Sequence, residues 1–318
     1  MPHDLVALGL NAVDVLIRLP EQVKKDDKQM VDSLTIQGGA PTASGAAGVA
    51  RLGYKAAYVA RLGNNTLSAI AIDEFRKSSV DTALVVRDDD SQPALALVEI
   101  DPVTAERTVF IQMANYGFLR PSDIPVEQIR QSRALLVDSY DLEATEVALQ
   151  AARGTSCRTV LDFESGDTEL MRRLMGLGTD AILPIDCARR LTGLDVPEVI
   201  LPQLAALTRG QVVVTDGVNG SWAWDRDGKT IHHQPAFRVA SIDTTGCGDA
   251  FHAGYIVGIL ESWPLRFCME FGALLASRVA TRIGGRTALP TREDLPDMLR
   301  SEVSEGLRQK LAALRGQS

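Results

Sequence analysis

The stretch SIDTTGCGDAFHAGYIVGIL, residues 241–260, decides the fold of this chain. Asp243-Thr244-Thr245 follow a short apolar strand, and Gly246-Cys247-Gly248 predict a tight turn, because glycine reaches backbone angles that other residues avoid. From Asp249 onward the spacing of apolar residues predicts a helix. Its buried face is expected to carry Phe251, Tyr255, Ile256 and Ile259.

A glycine-rich turn that opens a helix predicts an anion site. The first N–H groups of a helix have no partner within it, and they lie at the positive end of the helix dipole. A phosphate bound there would repel the Asp249 carboxylate, so anion binding alone does not explain this residue. Asp249 either takes the proton from a hydroxyl that attacks the phosphate or only caps the helix. The DTT before the turn and the helix after it favour catalysis.

The motif DTTGCGDAFHAG, residues 243–254, resembles the C-terminal motif of the ribokinase-like (PfkB) carbohydrate kinases, usually DTTGAGDAF. A second family landmark is Gly38-Gly39 within QGGAPTASGAAGVARLG. The order and separation of the two motifs match the family, and the resemblance covers nearly the whole chain. It implies an ATP-dependent sugar kinase with Asp249 as the general base. The backbone of Gly246, Cys247 and Gly248 would stabilise the transferred phosphoryl group.

Composition limits the class of protein. The chain has 318 residues, 45% of them apolar and 23% charged, as in an ordinary globular protein. The net charge of −8, with no basic block, argues against nucleic-acid binding. Four scattered cysteines without a CxxC pair argue against a metal site or a disulfide framework, and they fit a reducing cytoplasm. We find no signal peptide and no apolar run of about 20 residues, so we expect a cytoplasmic protein outside the membrane.

Alternating strand and helix patterns run from the apolar segment Leu5–Leu10 to VVVT at 212–215. They predict an α/β fold over 1–318, with a mostly parallel central sheet and helices on both faces. We expect helices over 42–52, over 268–289 and, amphipathic, over 293–315. The resemblance implies that about 15–37 and 94–118 form a small β-sheet lid over the sugar, which would exclude water from phosphoryl transfer.

On the sugar side, Asp14 follows the first strand, and ligands of open α/β sheets gather at the carboxyl ends of strands. From the residues alone, a turn-forming aspartate is an equal alternative. The resemblance implies that Asp14 holds the sugar. It gives further substrate-binding candidates: Asp26, Lys28, Gly38, Gly39 and Arg107. Ala43 stands where relatives usually carry asparagine, so one expected sugar contact is missing and the acceptor is in question.

On the nucleotide side, VVVTDGVNGSWAW at 212–224 predicts a strand, a glycine turn and a second strand. The resemblance implies ATP contacts from Thr215, Gly217, Gly220, Gly248, Gly272, Ala273 and Ser277. For the helix that carries the last three, an ordinary core helix with a glycine stop is the alternative. The resemblance also implies Mg²⁺ and, as a further cofactor, K⁺. Its monovalent-cation site would consist of Asp243, Thr245, Val279, Arg282 and Gly284.

Two departures from the family pattern bear on the chemistry. The family's Asn-x-x-Glu, associated with Mg²⁺ and phosphate, is replaced by Pro184-Ile185-Asp186-Cys187. One hypothesis is that Asp186 substitutes by reaching the metal through water. Cys247 stands where alanine is usual. A helix N-terminus can lower a thiol pKa, which predicts that Cys247 is alkylated faster than the other three cysteines, whereas a small residue that simply fits is the alternative.

The segments QPAFRVASIDTTGCGDAFHAG and TRIGGRTALP resemble the branch of sulfofructose kinases, fructokinases and ketohexokinases. VDSYDLEAT at 137–145 lacks an arginine for a sulfonate, so a ketose or related sugar is the first choice of acceptor. A nucleoside is the second, in a slot made by Phe110, Tyr116 and Phe118. A non-catalytic sugar- and nucleotide-binding protein is a third reading, which Asp249 argues against. Exposed lid strands predict a homodimer through the lid.

Overall fold

The apolar runs form the strands of two main sheets in the computed structural model, which describes residues 2–226, 229–299 and 302–316. The described strands are β1 (Leu5–Leu8), β2 (Ala12–Arg18), β3 (Leu34–Gly39), β4 (Ala56–Val59), β5 (Arg61–Leu62), β6 (Val86–Arg87), β7 (Ala94–Ile100), β8 (Arg107–Gln112), β9 (Ala134–Asp138), β10 (Arg158–Asp162), β11 (Asp180–Pro184), β12 (Gln211–Thr215), β13 (Ser221–Asp225) and β14 (Thr230–Gln234).

The described helices connect these strands. They are α1 (Pro41–Arg51), α2 (Thr66–Lys77), α3 (Val126–Gln131), α4 (Leu142–Ala152), α5 (Thr168–Met175), α6 (Ile185–Thr192), α7 (Pro197–Leu207), α8 (Cys247–Leu260), α9 (Leu265–Val279), α10 (Leu295–Met298) and α11 (Glu305–Arg315). Short 3₁₀ helices lie at Pro121–Asp123, Gly217–Asn219 and Arg292–Asp294.

The central sheet has the strand order β14-β13-β12-β11-β10-β9-β1-β4. From β4 to β12 all neighbouring strands are parallel, and β13 and β14 join antiparallel at one edge. Both faces are covered: α1, α2, α8, α9 and α11 pack on one, and α3 to α7 on the other. Strands β1, β4 and β9 are buried along their whole length, which explains why they read as continuous apolar runs. The predicted α/β architecture is confirmed.

A small separate sheet has the order β3-β2-β7-β8. Strand β2 pairs antiparallel with β3 and parallel with β7, and β8 closes the other edge antiparallel to β7. Strand β2 begins at Ala12, so Asp14 lies inside a strand of the small sheet rather than in a turn after β1. The chain leaves the central sheet at Gly9, whose φ of 143° is a conformation open to glycine.

Three predicted helices differ from the structure. Helix α8 begins at Cys247 and is buried nearly all round, so its apolar residues do not mark one face. Helix α9 spans Leu265–Val279 instead of 268–289, because the chain turns after it and Ala280 O accepts from Ile242 N–H (2.8 Å). The tail 293–315 is broken into short helices, and Ser304 caps α11 by accepting from Leu307 N–H. Residues 300 and 301 of that tail lie outside the described residues.

Among the described helices, none combines the length and apolarity needed to cross a bilayer.

Candidate active site

The turn before α8 has the geometry of an anion site. Gly246 is left-handed (φ 74°), and a Cβ there would lie 2.4 Å from Gly285 Cα, so only glycine fits. Helical hydrogen bonding begins where Ala250 N–H donates to Gly246 O (2.9 Å). The N–H groups of Gly248 and Asp249 precede that bond, in the position where a helix has no internal acceptor. A Cβ on Gly248 would meet nothing within 4 Å, so the space above the turn is open.

Asp249 lies in the first turn of α8, directly beside these N–H groups. Burial, and after it the charge of the neighbouring Glu164, raise the pKa of its carboxyl to about 7, although Arg107 lowers it. A carboxylate with a pKa near 7 is matched to accepting a proton at neutral pH. The carboxyl can therefore act as a base.

Asp14 faces the same space from the small sheet. It lies opposite Gln37 in the β2–β3 register and is 8% exposed. A Cβ on Gly39 would lie 2.1 Å from Asp14 Oδ2, so the glycine is what lets β3 pass this carboxylate. Burial raises the pKa of Asp14 to about 6. The charges of Asp14 and Asp249 interact, so the structure brings these two predicted residues together.

Arg107 links the small sheet to the loop that precedes α8. It is the first residue of β8, and its Nη1 donates to Thr244 Oγ1 (3.4 Å) just before the glycine turn. Its positive charge lowers the pKa of both Asp14 and Asp249. Asp26 and Lys28, in contrast, lie exposed in the connection between β2 and β3. Their role in substrate binding stays a prediction.

Sequence reasoning missed Arg286, which lies beneath the glycine pair. It is 6% exposed, donates from Nη2 to Gly39 O (2.9 Å) and from Nε to Ser44 Oγ (3.1 Å), and a Cβ on Gly38 would lie 2.2 Å from its Nη1. Its charge lowers the pKa of Asp14. A single arginine after Gly284-Gly285 gives no sequence signal, because its burial depends on elements far apart in the chain.

Two aspartates at strand ends were also missed. Asp138 ends β9 and accepts from Leu10 N–H (2.8 Å) and Thr42 Oγ1 (3.1 Å), so it holds the chain where it leaves β1. Asp162 ends β10 and is 2% exposed, and its Oδ2 has no hydrogen-bond partner among the described residues. The segments ALLVD and TVLD carried a usable signal, because the carboxyl ends of parallel strands meet at one edge of a sheet.

The predicted nucleotide residues lie on two elements. Thr215 ends β12. Gly217 begins the 3₁₀ turn that follows and Gly220 comes directly after it, with φ of 48° and 96°. Ala273 and Ser277 lie on α9.

Gly272 also lies on α9 but is buried against α8. A Cβ on it would come within 2.8 Å of Phe251 O. This glycine therefore lets the two helices approach, and its nucleotide contact stays a prediction.

The predicted monovalent-cation residues converge behind the glycine turn. Asp243 is fully buried and accepts from Thr245 N–H and Gly284 N–H, both at 2.7 Å. Thr245 Oγ1 is buried without a hydrogen-bond partner in the described part of the chain. Val279 ends α9, and Arg282 lies in the turn that follows, where its N–H donates to Val279 O (3.2 Å). Buried oxygens gathered in this way suit a cation.

Two hypotheses about departures from the family pattern lose support. Burial raises the pKa of the Cys247 thiol to about 12, and this outweighs the effect of the helix N-terminus, so enhanced reactivity is not expected. Asp186 has a side chain that is 78% exposed and paired with Arg189 Nη1 (3.2 Å). It is therefore turned toward solvent.

The chain belongs to the pfkB family of carbohydrate kinases, because the model of that family matches residues 3–292. Among curated relatives, a 5-dehydro-2-deoxygluconokinase of Bacillus subtilis is 24% identical over 322 residues, covering 94% of this chain and 96% of that protein. A ribokinase of Haemophilus influenzae is 27% identical over 310 residues, covering 94% and 99%. The structure of an Arabidopsis thaliana ribokinase, solved with ribose and ATP, superimposes with a TM-score of 0.75 at 21% identity, covering 96% and 100%. The ribokinase-like fold and the class of carbohydrate kinase are thereby established.

Proposed function

We propose that this chain transfers the γ-phosphate of ATP to a primary hydroxyl of a ketose or related sugar, with Asp249 as the general base. The observation that carries the proposal is the position of Asp249. Its carboxyl, with a pKa near 7, lies beside the free N–H groups of a helix start and faces Asp14 of the small sheet.

The sugar lies between the small sheet and the glycine turn. Asp14 is ionised near pH 7 and accepts hydrogen bonds from sugar hydroxyls, while Gly38 and Gly39 allow the backbone to approach closely. The small sheet acts as the lid, and Arg107 links it to the turn through Thr244. Excluding water in this way protects the phosphoryl group from hydrolysis.

The phosphoryl group lies over the turn. As the sugar hydroxyl attacks in line, Asp249 accepts its proton, and the N–H of Gly248 with the dipole of α8 stabilises the charge on the phosphoryl oxygens. The nucleotide extends toward Thr215, Gly217 and Gly220, with Ala273 and Ser277 on its other side. Mg²⁺ bound with the nucleotide would supply positive charge that offsets the negative charge of the phosphates.

A monovalent cation fits behind the turn. Thr245 Oγ1 and the Asp243 carboxylate are buried oxygens, and the hydroxyl has no hydrogen-bond partner among the described residues. We infer that they hold K⁺ together with the backbone near Val279, Arg282 and Gly284. This cation would keep the turn in place without contacting the substrates.

The acceptor is the second part of the proposal. The names of the 5-dehydro-2-deoxygluconokinases point to a gluconate derivative as their acceptor, and Arg107 supplies a cation that could pair with a sugar acid. A nucleoside slot has less support. Phe110 lies opposite Leu97, which lies opposite Val15, so Phe110 is on the face of the small sheet that points away from Asp14. A sugar or sugar acid is favoured over a nucleoside.

The test is a coupled ADP-release screen with Mg²⁺ and K⁺ across ketoses, aldoses, sugar acids and nucleosides. We expect a ketose or sugar acid to be phosphorylated, and Asp249→Asn to fold normally but lose ~10²–10⁴-fold in turnover. Near-native turnover of Asp249→Asn would show that Asp249 is not the base. ATP binding without phosphorylation of any acceptor in the panel would favour a non-catalytic binding protein.

A further inference from the structure

Ala40 is the only residue between β3 of the small sheet and α1, because β3 ends at Gly39 and α1 begins at Pro41. It has φ 76° and ψ 152°, a combination that is found almost only at glycine. A proline favours an extended ψ in the residue before it, so the strain lies in the positive φ. Strain of this kind persists only where the surrounding structure imposes it.

The side chain of Arg286 holds the chain on both sides of Ala40. Its Nη2 donates to Gly39 O (2.9 Å), directly before Ala40. Its Nε donates to Ser44 Oγ (3.1 Å), and Ser44 N–H in turn donates to Ala40 O (2.9 Å). The carbonyl before the strained residue and the helical turn after it are therefore tied to one guanidinium group.

Arg286 is a costly side chain to bury. It is 6% exposed, and its Nη1 has no hydrogen-bond partner among the residues that the structure describes. Burying a charged donor without a partner is unfavourable. An apolar side chain of similar size often replaces a buried charge at no cost in stability, so packing alone does not explain the arginine.

We propose that Arg286 is a positioning residue for the acceptor, because it keeps Ala40 in its strained conformation and thereby fixes Gly39. The Asp14 carboxyl rests directly on this glycine: a Cβ on Gly39 would lie 2.1 Å from Oδ2 and 2.2 Å from Oδ1. A movement of Gly39 would therefore displace the carboxyl. The inference rests on the proposed role of Asp14 in sugar binding.

The loop that carries Arg286 also contacts the turn before α8. Gly284 N–H donates to Asp243 Oδ2 (2.7 Å), and a Cβ on Gly246 would lie 2.4 Å from Gly285 Cα. One short loop thus touches the phosphate side through its glycines and the acceptor side through its arginine. Arg286 therefore sets the position of the acceptor site relative to the glycine turn.

The kinetic test measures Arg286→Met and Arg286→Lys with the acceptor that is phosphorylated fastest in the ADP-release screen. We expect Arg286→Met to raise the KM for this acceptor about tenfold or more, as the loss of hydrogen bonds from a charged group does, and to change the KM for ATP less than about twofold. Arg286→Lys keeps the charge but lacks the rigid fork of donors, so it should not restore the KM. Full restoration by lysine would overturn the proposal, since charge alone would then suffice.

The strained residue provides a second comparison. Glycine adopts the conformation of Ala40 without strain, so in an Ala40→Gly background we expect Arg286→Met to raise the KM for the acceptor by no more than about threefold. The same factor in both backgrounds would show that the arginine does not act through Ala40, and it would overturn the proposal.

Hydrogen exchange of the backbone over residues 37–44 provides a measurement independent of turnover. We expect it to be about tenfold faster in Arg286→Met and Arg286→Lys than in wild type. Arg51→Met is the matched control and should leave it unchanged, because Arg51 Nε donates to Leu289 O (2.8 Å) at the other end of α1. Melting temperatures report whether each variant is folded, and the lysine variant keeps the test valid if Arg286→Met does not fold.

The outcomes separate this inference from the kinase proposal. Unchanged exchange over residues 37–44 in the folded Arg286 variants overturns the positioning role alone. A wild type that phosphorylates no acceptor overturns the kinase proposal, while the exchange measurement still decides whether Arg286 holds Ala40.

Discussion

At the scale of single residues, the pKa of Asp249 sets the pH dependence of the reaction. Burial raises this pKa to about 7, and the residue accepts a proton only while it is ionised. We therefore expect kcat/KM to fall about tenfold per unit as the pH decreases below 7. A pH profile between 5 and 9 measures this, with enzyme stability checked at each pH. A flat acidic limb down to pH 5 would contradict the assignment.

The assignment of Asp14 to the sugar site can be tested by replacing Gly39 with alanine, which adds one methyl group. A Cβ there would lie 2.1 Å from Asp14 Oδ2, so Gly39→Ala must displace the carboxylate. We expect the KM for the sugar to rise at least about tenfold, the loss of a charged hydrogen bond, while the KM for ATP changes little. Initial-rate kinetics in both substrates separate the two effects. An equal change in both KM values would instead indicate general damage to the fold.

For the reactivity of the cysteines, the structure leads to a prediction opposite to the one drawn from the sequence. Burial raises the thiol pKa of Cys187 to about 11 and of Cys247 and Cys268 to about 12, and it raises that of Cys157 as well. Because the thiolate is the reactive form, we expect slow alkylation of all four in the folded protein at pH 7.5. Labelling followed by mass spectrometry, with the urea-unfolded chain as the fast control, checks this. Rapid selective labelling of Cys247 would restore the discarded hypothesis.

At the scale of elements, α8 and α9 approach closely because glycines face each other. A Cβ on Gly254 would lie 2.8 Å from Gly272 Cα, which is backbone and cannot rotate away. We expect Gly254→Ala to lower the free energy of unfolding by about 1–3 kcal/mol, as overpacking does. Gly316→Ala is the matched control, since its Cβ would meet Ala313 O at an ordinary 3.5 Å. Urea denaturation of both variants measures the difference, and equal stabilities would show that the helices can separate without cost.

The limits of sequence reasoning are clearest at this scale. The parallel strands were predictable because buried strands read as apolar runs. Helix α8 was predicted from its glycine start and from the spacing of apolar residues, but the predicted single buried face was wrong, because the helix is buried on nearly all sides. The C-terminal end of α9 was missed because a tertiary hydrogen bond, from Ile242 N–H to Ala280 O, decides it. The end of a helix that depends on residues far away in the chain leaves no pattern in the local sequence.

In the candidate site, too, some residues were predictable from the sequence and others were not. Asp249, Asp14 and Gly39 were found because they belong to motifs with a family resemblance, and the structure brings them into one space. Arg286 and Asp162 were missed because burial and an unsatisfied oxygen become visible only when separate elements meet. A deliberate comparison of strand ends would have singled out Asp162, but no pattern would have indicated the arginine.

At the scale of the whole molecule, the solvent side of the small sheet predicts the oligomeric state. Ile36, Val15, Leu97 and Phe110 lie opposite one another across four strands, and Phe110 is 54% exposed. Such an apolar row on a monomer favours association. We expect a homodimer through this face, converted to a monomer by Phe110→Lys. Light scattering coupled to gel filtration measures both masses.

The exposed Val218, on the turn after β12, provides the control for that experiment. It is 90% exposed and lies in the turn between β12 and β13 of the central sheet, outside the small sheet. Val218→Lys adds the same charge and should leave the dimer intact. A monomeric wild type, or dissociation by Val218→Lys alone, would contradict the proposed interface.

The groups assigned to the sugar and to the phosphate lie on separate parts of the fold, and this separation has an evolutionary consequence. The group assigned to the phosphate lies on α8, which is embedded in the core, whereas the groups assigned to the sugar lie on the separate four-stranded sheet or in the connection between β2 and β3. Changes on the small sheet can therefore alter which acceptor is used without disturbing the machinery of transfer. We expect a chimera that carries residues 12–39 and 94–112 of a relative to phosphorylate the acceptor that the relative prefers. Its KM and turnover with ATP should stay those of the present chain. New sugar specificities can arise in such a molecule by drift at its periphery.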